Sequence, residues 1–320
     1  MISRLFASLL LFVPLAAAAQ SAWPERPFHI IVPFAPGSAI DQTTRIFSER
    51  LSARLGRPFV VENRAGANAI VGAVAAARAP ADGYNFFFTT STTHAANVAL
   101  YEKLPYDAVR DFEPVAFIQM AIYLLVVNNQ LPVKSVKDLV SYAKERPGKL
   151  NYSTGAANSL AAAELFKIMT GTDIVQINYK SNPEGLAALV AGSTQIMFAD
   201  FIIGKPQAQS GQVRALGVTS KTLHEGMPEM PTIAEGGVPG FSLVAWQAVY
   251  APAKTPRAAI QRLNAEINAI RALPEVRKRL LDLGYTFEGV GPAPEDLGAF
   301  NAREIALWTK LVAEAKLPKQ

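Results

Sequence analysis

The chain has 320 residues, a net charge of +5 and no cysteine. The missing cysteines remove disulfides, thiol catalysis and thiolate metal sites together, so stability must come from packing. Lys and Arg are scattered rather than clustered, which argues against a nucleic-acid partner.

The first residues, MISRLFASLLLFVPLAAAAQ, carry one cation at Arg4, an apolar core from Leu5 to Leu15 and a run of alanines. This is the pattern of a secretory signal peptide, too short in its apolar part to span a bilayer. Cleavage is expected after Ala19, leaving a net charge of +4. No later stretch reads as a membrane helix and no cysteine exists to carry a lipid, so a freely diffusing, exported monomer is expected. The remaining chain is long enough to fill two cores.

Short apolar runs then alternate with helical segments to the end of the chain, the pattern of an α/β fold with a mostly parallel sheet. A strand HIIV leads to a helix with Ile40, Thr44, Phe47, Leu51 and Leu55 on one face, ended by Gly56 and Pro58. The strand PFVVEN leads to a helix over Ala67 to Ala79, and Phe86 to Phe88 read as a strand buried on both faces. VAFIQMAIYLLVVNN is longer than one ordinary strand, and FSLVAWQAVYAP, from Phe241 to Pro252, has the same character. Two such runs around a middle segment suggest a chain that crosses to a second domain and returns, a paired hinge. The middle segment reads as strands NYSTG, IVQINY, QIMFAD and VRALGVTS with helices from Ser159 to Thr170 and from Pro183 to Ala191. The C-terminal part reads as helical, with Thr255-Pro256 as cap and first-turn proline and Ile260, Leu263, Ile267 and Ile270 as its buried stripe. Domain 1 is thus expected over 20–121 and 247–320, and domain 2 over 122–246.

In open parallel sheets ligands lie beyond the carboxyl ends of the strands, so the loops after them are the candidates. The first holds Pro36, Gly37, Ser38, Ala39 and Ile40, and the second Ala65, Gly66, Ala67, Asn68, Ala69 and Ile70. Both pass from an apolar run through small residues into a helix start, where N–H groups lack helical partners and an anion can approach them closely. No Lys or Arg lies between Ile30 and Thr44, so an anion there would rest on main-chain donors and the helix dipole. Ser91, Thr93 and His94 follow the triple-phenylalanine strand; Thr154, Asn158, Ser159, Tyr179, Asp200 and Phe201 follow strands of the middle segment. Asp41 reads as a helix cap, Arg64 as a structural rim residue, His94 as bonded to a neighbouring carbonyl, and Asp200 as binding loop N–H groups across the cleft.

The segments WPERPFHIIVPFAPGSAID, VVENRAGA, ADGY, TSTTHAANVALYEKLPYDAVRDFEPVA and RLNAEIN, in this order and spacing, resemble the periplasmic solute receptors of tripartite tricarboxylate transporters, the Bug proteins. The resemblance implies a type II periplasmic binding protein, two α/β domains joined by a two-strand hinge, closing on a small carboxylate gripped by the first two loops and partly through bridging water. It also implies delivery of the ligand to a membrane permease, with no cofactor, metal or catalytic residue. The chain departs from that pattern with Ser38, Asn68 and Ala69 where glycines are usual, and with Ser159, Ser181 and Phe201 at positions often held by His, Gly and Asn. Side chains at 38, 68, 69 and 70, with Phe201, would make the pocket narrower and partly apolar, which favours aliphatic or aromatic dicarboxylates over citrate.

Two other classes are weighed. A ligand-presenting receptor for a sensor kinase would bind by the same chemistry. A secreted hydrolase would need a site assembled from distant residues, because no G-x-S-x-G elbow, P-loop, dinucleotide fingerprint or H-E-x-x-H pair occurs.

Overall fold

The computed structural model describes residues 23–287, 290–317 and 319; the expected signal peptide lies outside them. The first part of the chain forms β1 (Phe28–Val32), α1 (Ala39–Leu55), β2 (Phe59–Asn63), α2 (Ile70–Ala77), β3 (Asn85–Thr90), a π-helix (Thr92–Ala96), α3 (Asn97–Leu100) and β4 (Phe112–Ala121). The middle forms β5 (Tyr123–Asn128), α4 (Val136–Lys144), β6 (Leu150–Thr154), α5 (Ala157–Thr170), β7 (Ile174–Asn178), α6 (Asn182–Val190), β8 (Ile196–Asp200), α7 (Phe201–Gln209) and β9 (Val213–Val218). The last part forms β10 (Ala245–Pro252), α8 (Arg257–Arg271), α9 (Pro274–Asp282), β11 (Tyr285–Thr286) and α10 (Pro294–Glu314).

Two mixed sheets result, with orders β11-β4-β10-β3-β1-β2 and β7-β6-β8-β5-β9. In each, three strands pair in parallel, β3-β1-β2 and β7-β6-β8, and the strands nearer the passage between sheets run antiparallel to them. The long run VAFIQMAIYLLVVNN is split at Ile122, with β4 in one sheet and β5 in the other. The second run is a strand only from Ala245, and its first residues pair with Met120 and Ala121 in the first sheet.

Strand alternation explains the layers. Phe86 and Phe88 enter one cluster with α1 and α8, and Phe87 enters another with α2, the π-helix and α10, so the run is buried on both faces as a central strand must be. Ile260, Leu263, Ile267 and Ile270 form the buried stripe of α8. Pro256, however, is itself the N-cap, and the Thr255 hydroxyl bonds Pro252 O instead of a helix N–H. The cluster around Phe87 continues without a break into Tyr123, Leu125, Tyr152 and Phe198 of the second sheet and Phe166 of α5, so the two sheets share apolar contacts. The opposite face of that sheet is covered by α6 and α7 through Leu186, Leu189 and Phe201.

The register places the loops. Thr90, at the end of β3, pairs with Gln247, which pairs with Gln119 near the end of β4. Two residues beyond β4, Tyr123 pairs with Asp200 at the end of β8. The carboxyl ends of both sets of parallel strands therefore meet at the crossing, where a ligand can touch both.

Candidate functional site

Loop 1 follows β1 and ends at Ser38, the N-cap of α1, whose hydroxyl accepts the Asp41 N–H at 3.4 Å. Asp41 is not the cap. Its carboxylate reaches back, accepting the Gly37 N–H at 2.8 Å, Arg45 Nε at 3.0 Å and Asn63 Nδ2 at 3.0 Å. Asn63 Nδ2 also donates to Phe34 O at 3.0 Å, which ties the loop to the end of β2. Burial would raise the Asp41 pKa, but the bonds from Arg45, Gly37 and Asn63 outweigh it and hold the carboxyl below the ordinary carboxylate range. The N–H of Gly37 is thus consumed inside the loop, and that of Ser38 turns onto Ala35 O. Those of Ala39 and Ile40 meet no acceptor among the described residues, which leaves two donors at the positive end of a 17-residue helix. Ile40 sends its side chain into the core, so its contribution here is its backbone.

Loop 2 follows β2. A helix from Ala67 is not formed, because Ala67, Asn68 and Ala69 all have left-handed backbone, with φ of 45, 50 and 71°, and α2 starts at Ile70. Consecutive non-glycine residues in this region are costly, which is common where a segment serves recognition. Within this loop, bonds to Ala67 O and Gly66 O hold the N–H groups of Ile70 and Val71, whereas those of Ala67, Asn68 and Ala69 find no acceptor among the described residues. The side chain of Ala69 is buried and does not narrow the cleft, contrary to the sequence-based expectation, and Ile70, partly buried, packs on the core. Arg64 pairs with Glu62, as a rim residue should.

Beyond β3, Ser91 Oγ donates to Asn158 Oδ1 on α5 at 3.4 Å, a contact between the two sheets' loops. The Tyr123 hydroxyl bonds the same Asn158. Thr93 is fully buried, its hydroxyl engaged with Thr89, Thr90 O and His94. His94 does not face the cleft either: its ring stacks on Tyr250 with centroids 3.8 Å apart and lies against Phe112 and Phe87. Its Nδ1 meets the Thr93 hydroxyl rather than a carbonyl. Desolvation pushes its pKa down to about 3. Because the folded pKa is depressed, the stability it contributes is full above about 6.5 and is lost as pH falls toward 3. Over that window the unfolding free energy is expected to drop by about 1.4 kcal/mol per pH unit from this group. His94→Phe should flatten that slope in denaturant titrations, and an unchanged slope would place the imidazole in contact with water.

In the second sheet, the Ser159 hydroxyl donates to Phe198 O at 2.8 Å and is buried, so it ties α5 to β8 rather than facing a ligand. Phe201 lies in the core against His224 at 4.6 Å, with Gly284 pressed on it, and cannot line the cleft. Asp200 does not bond across the cleft among the described residues; its Oδ2 accepts Asn182 Nδ2 at 2.8 Å within its own half, and burial raises its pKa. Asn182 also accepts the Gly155 N–H at 3.0 Å, joining three loops. A cavity of about 480 Å³ brings Asn68 of loop 2 together with Thr154, Gly155 and Tyr179, and no charged side chain lines it. Pro36 and Gly37 lie exposed at the tip of loop 1, and Ala65 to Asn68 are exposed in loop 2.

At the crossing, Gln119 Nε2 donates to Gln247 Oε1 at 2.8 Å and to Thr43 at 3.1 Å, and Gln247 Nε2 reaches the Tyr285 hydroxyl at 3.2 Å. These buried amides were not anticipated, although a lone glutamine inside the apolar run VAFIQMAIY was the available signal. Among the described residues no cluster of His, Cys, Asp and Glu could hold a metal.

The family model described as "Tripartite tricarboxylate transporter family receptor" matches residues 43–317. The chain belongs to this receptor family. Protein BugT of Bordetella pertussis is 33% identical to the receptor, over 98% of this chain and 97% of that one. The solved structure of R. palustris Rpa4515 with adipate is 35% identical with a TM-score of 0.83, covering 93% of this chain and all of that one. MatC from Rhodopseudomonas palustris, with bound malate, is 30% identical with a TM-score of 0.78, covering 91% and 100%. The receptor is accordingly a periplasmic-type solute-binding protein of two mixed α/β sheets, and two of its structural relatives hold dicarboxylates, adipate and malate.

Proposed function

We propose that this receptor, exported and freed of its leader, closes its two halves on a small mono- or dicarboxylate and delivers it to the membrane subunits of a tripartite transporter, without chemistry of its own. One carboxylate rests on the N–H groups of Ala39 and Ile40 and on those of the left-handed run in loop 2. The observation that carries this reading is the pair of unbonded donors at the start of α1, directly after Gly37 and Ser38, whose N–H groups are satisfied inside the loop. Ser38 serves as cap, so its hydroxyl supports the loop. The uncharged cavity beside Asn68 suits an aliphatic chain, and the relative crystallised with adipate agrees with that. The preference for aliphatic dicarboxylates over citrate now rests on these two points, since Ala69, Ile70 and Phe201 turn inward.

Ala39→Pro tests the grip directly. Proline is tolerated at the first helical position, and Ser38 has the extended backbone that a following proline requires (ψ 161°). The variant removes one N–H and little else. With roughly 1.5–3 kcal/mol for a hydrogen bond to a charged group, adipate affinity should fall about 10- to 100-fold by calorimetry with the melting point of the ligand-free protein retained. Equal affinity would take α1 out of the site. In a thermal-shift panel of adipate, malate and citrate, ligand that binds only the folded state raises the melting point; the largest rise is expected with adipate, and one with citrate would overturn the aliphatic preference.

A further inference from the structure

Resting on the reading above, we infer that Asn97 is a positioning residue for anion recognition: its buried side chain holds loop 2 in the left-handed conformation that keeps its N–H groups free for a ligand.

Asn97 opens α3, directly after the π-helix, and is fully buried. Its amide faces a single residue of loop 2 with both of its ends and also meets the Tyr106 hydroxyl, which donates to Thr93 O. Nδ2 donates to Asn68 O at 2.9 Å, and Oδ1 accepts Asn68 Nδ2 at 2.8 Å. Asn68 is the middle member of the run with φ of 45, 50 and 71°. Asparagine visits this region more readily than other side-chain-bearing residues, but the two flanking alanines do not, and nothing in their own side chains can offset the cost. The run therefore needs support from outside itself. A fully buried amide that reaches both the carbonyl and the side chain of the central residue supplies it, and breaking the pair would leave the Asn97 end out of reach of water. If the run relaxed to right-handed helix, α2 would extend backward and the N–H groups of its new first turn would move away from loop 1. Asn97 thus fixes, before any ligand arrives, the direction in which loop 2 donates, so that less ordering is required on binding. No part of Asn97 needs to touch the ligand.

The test uses N97A, which removes both bonds, and N97D, which keeps the size and the acceptor but cannot donate to Asn68 O. In ligand-free protein, φ at residues 67–69, read by NMR from backbone couplings, is expected to leave the left-handed region in N97A and to average in N97D. Adipate affinity, measured by calorimetry, is expected to fall at least tenfold in N97A. Adding A67G and A69G to N97A lets the run turn left-handed without a Cβ penalty, and affinity should recover although the melting point does not. A loop that keeps all three positive φ values in N97A and N97D overturns the inference, as does a loss of affinity that the glycines leave unrelieved while φ is restored. Absence of adipate binding by the unaltered protein would count against the ligand class and leave the backbone measurement to decide on Asn97.

Discussion

Gly155→Ala is expected to cost about 3 kcal/mol or more in unfolding free energy, the largest effect of any single methyl group at this site. A Cβ on Gly155 would stand 2.0 Å from the Ser181 carbonyl carbon, 2.3 Å from its oxygen and 2.5 Å from Asn182 N. All three are backbone atoms, so no side chain can swing away. The backbone of Gly155 is not left-handed; contact, not φ, excludes the methyl. Relief requires the start of α6 to retreat, which breaks the Asn182 bonds to Gly155 N and Asp200. Urea titration should show a lower midpoint, and adipate binding should weaken because the wall of the cavity moves. A loss under about 1 kcal/mol would mean that the two loops have room to separate.

Asp41→Ala should be comparably severe for the site. Its carboxylate is buried and gathers a backbone N–H, a guanidinium and an amide, and removal strands the Gly37 N–H and Asn63. A loss of about 2 kcal/mol is expected from the bonds lost to the buried carboxylate itself; Gly37 is exposed, Asn63 half-buried and Arg45 half exposed, so water takes up part of what these partners lose and the Arg45 pairing is screened. Loop 1 is then held to the end of β2 only through the Asn63 bond to Phe34 O, so affinity for adipate should fall well beyond the change in stability. The sign with pH follows from the lowered pKa. The contribution of Asp41 is complete above its ordinary value of 3.8 and is lost as pH falls through the still lower folded value. Comparing acid titrations of the two proteins isolates it: the variant should show a shallower loss below pH 3.8. Parallel curves would contradict the assignment.

Much of this architecture is visible in residue patterns. Alternation in Phe86–Phe88 and the stripe of α8 are local signals, and each strand followed by a small-residue loop marked the strand ends that meet at the crossing. What failed did so where the decisive partner is remote. Ser159, Phe201, Ala69 and Ile70 looked like cleft residues because they follow strands, yet the helix starts turn their side chains inward onto Phe198, His224 and the core. His94 was expected to bond a carbonyl, and its aromatic cage comes from Phe87, Phe112 and Tyr250. Ala67 and Ala69 carry helix-forming side chains, and the amide of Asn97, 29 positions from Asn68, explains why they coil the other way. Asp41 shows the intermediate case: its place near a helix start was legible, whereas its reach back to Gly37 and across to Asn63 depends on how β1 and β2 pair.

The single residue Ile122 between β4 and β5 sets a limit on engineering. Ile122, Leu124 and Val126 enter one cluster while Tyr123, Leu125 and Val127 enter the other, so adding one residue at this point would turn the following strand inside out. The return path tolerates more: Lys221 to Leu223 are exposed, and a fluorescent module spliced there would report on the angle between the halves without disturbing strand register. A biosensor for the ligand should be built at that end of the passage and never at the other.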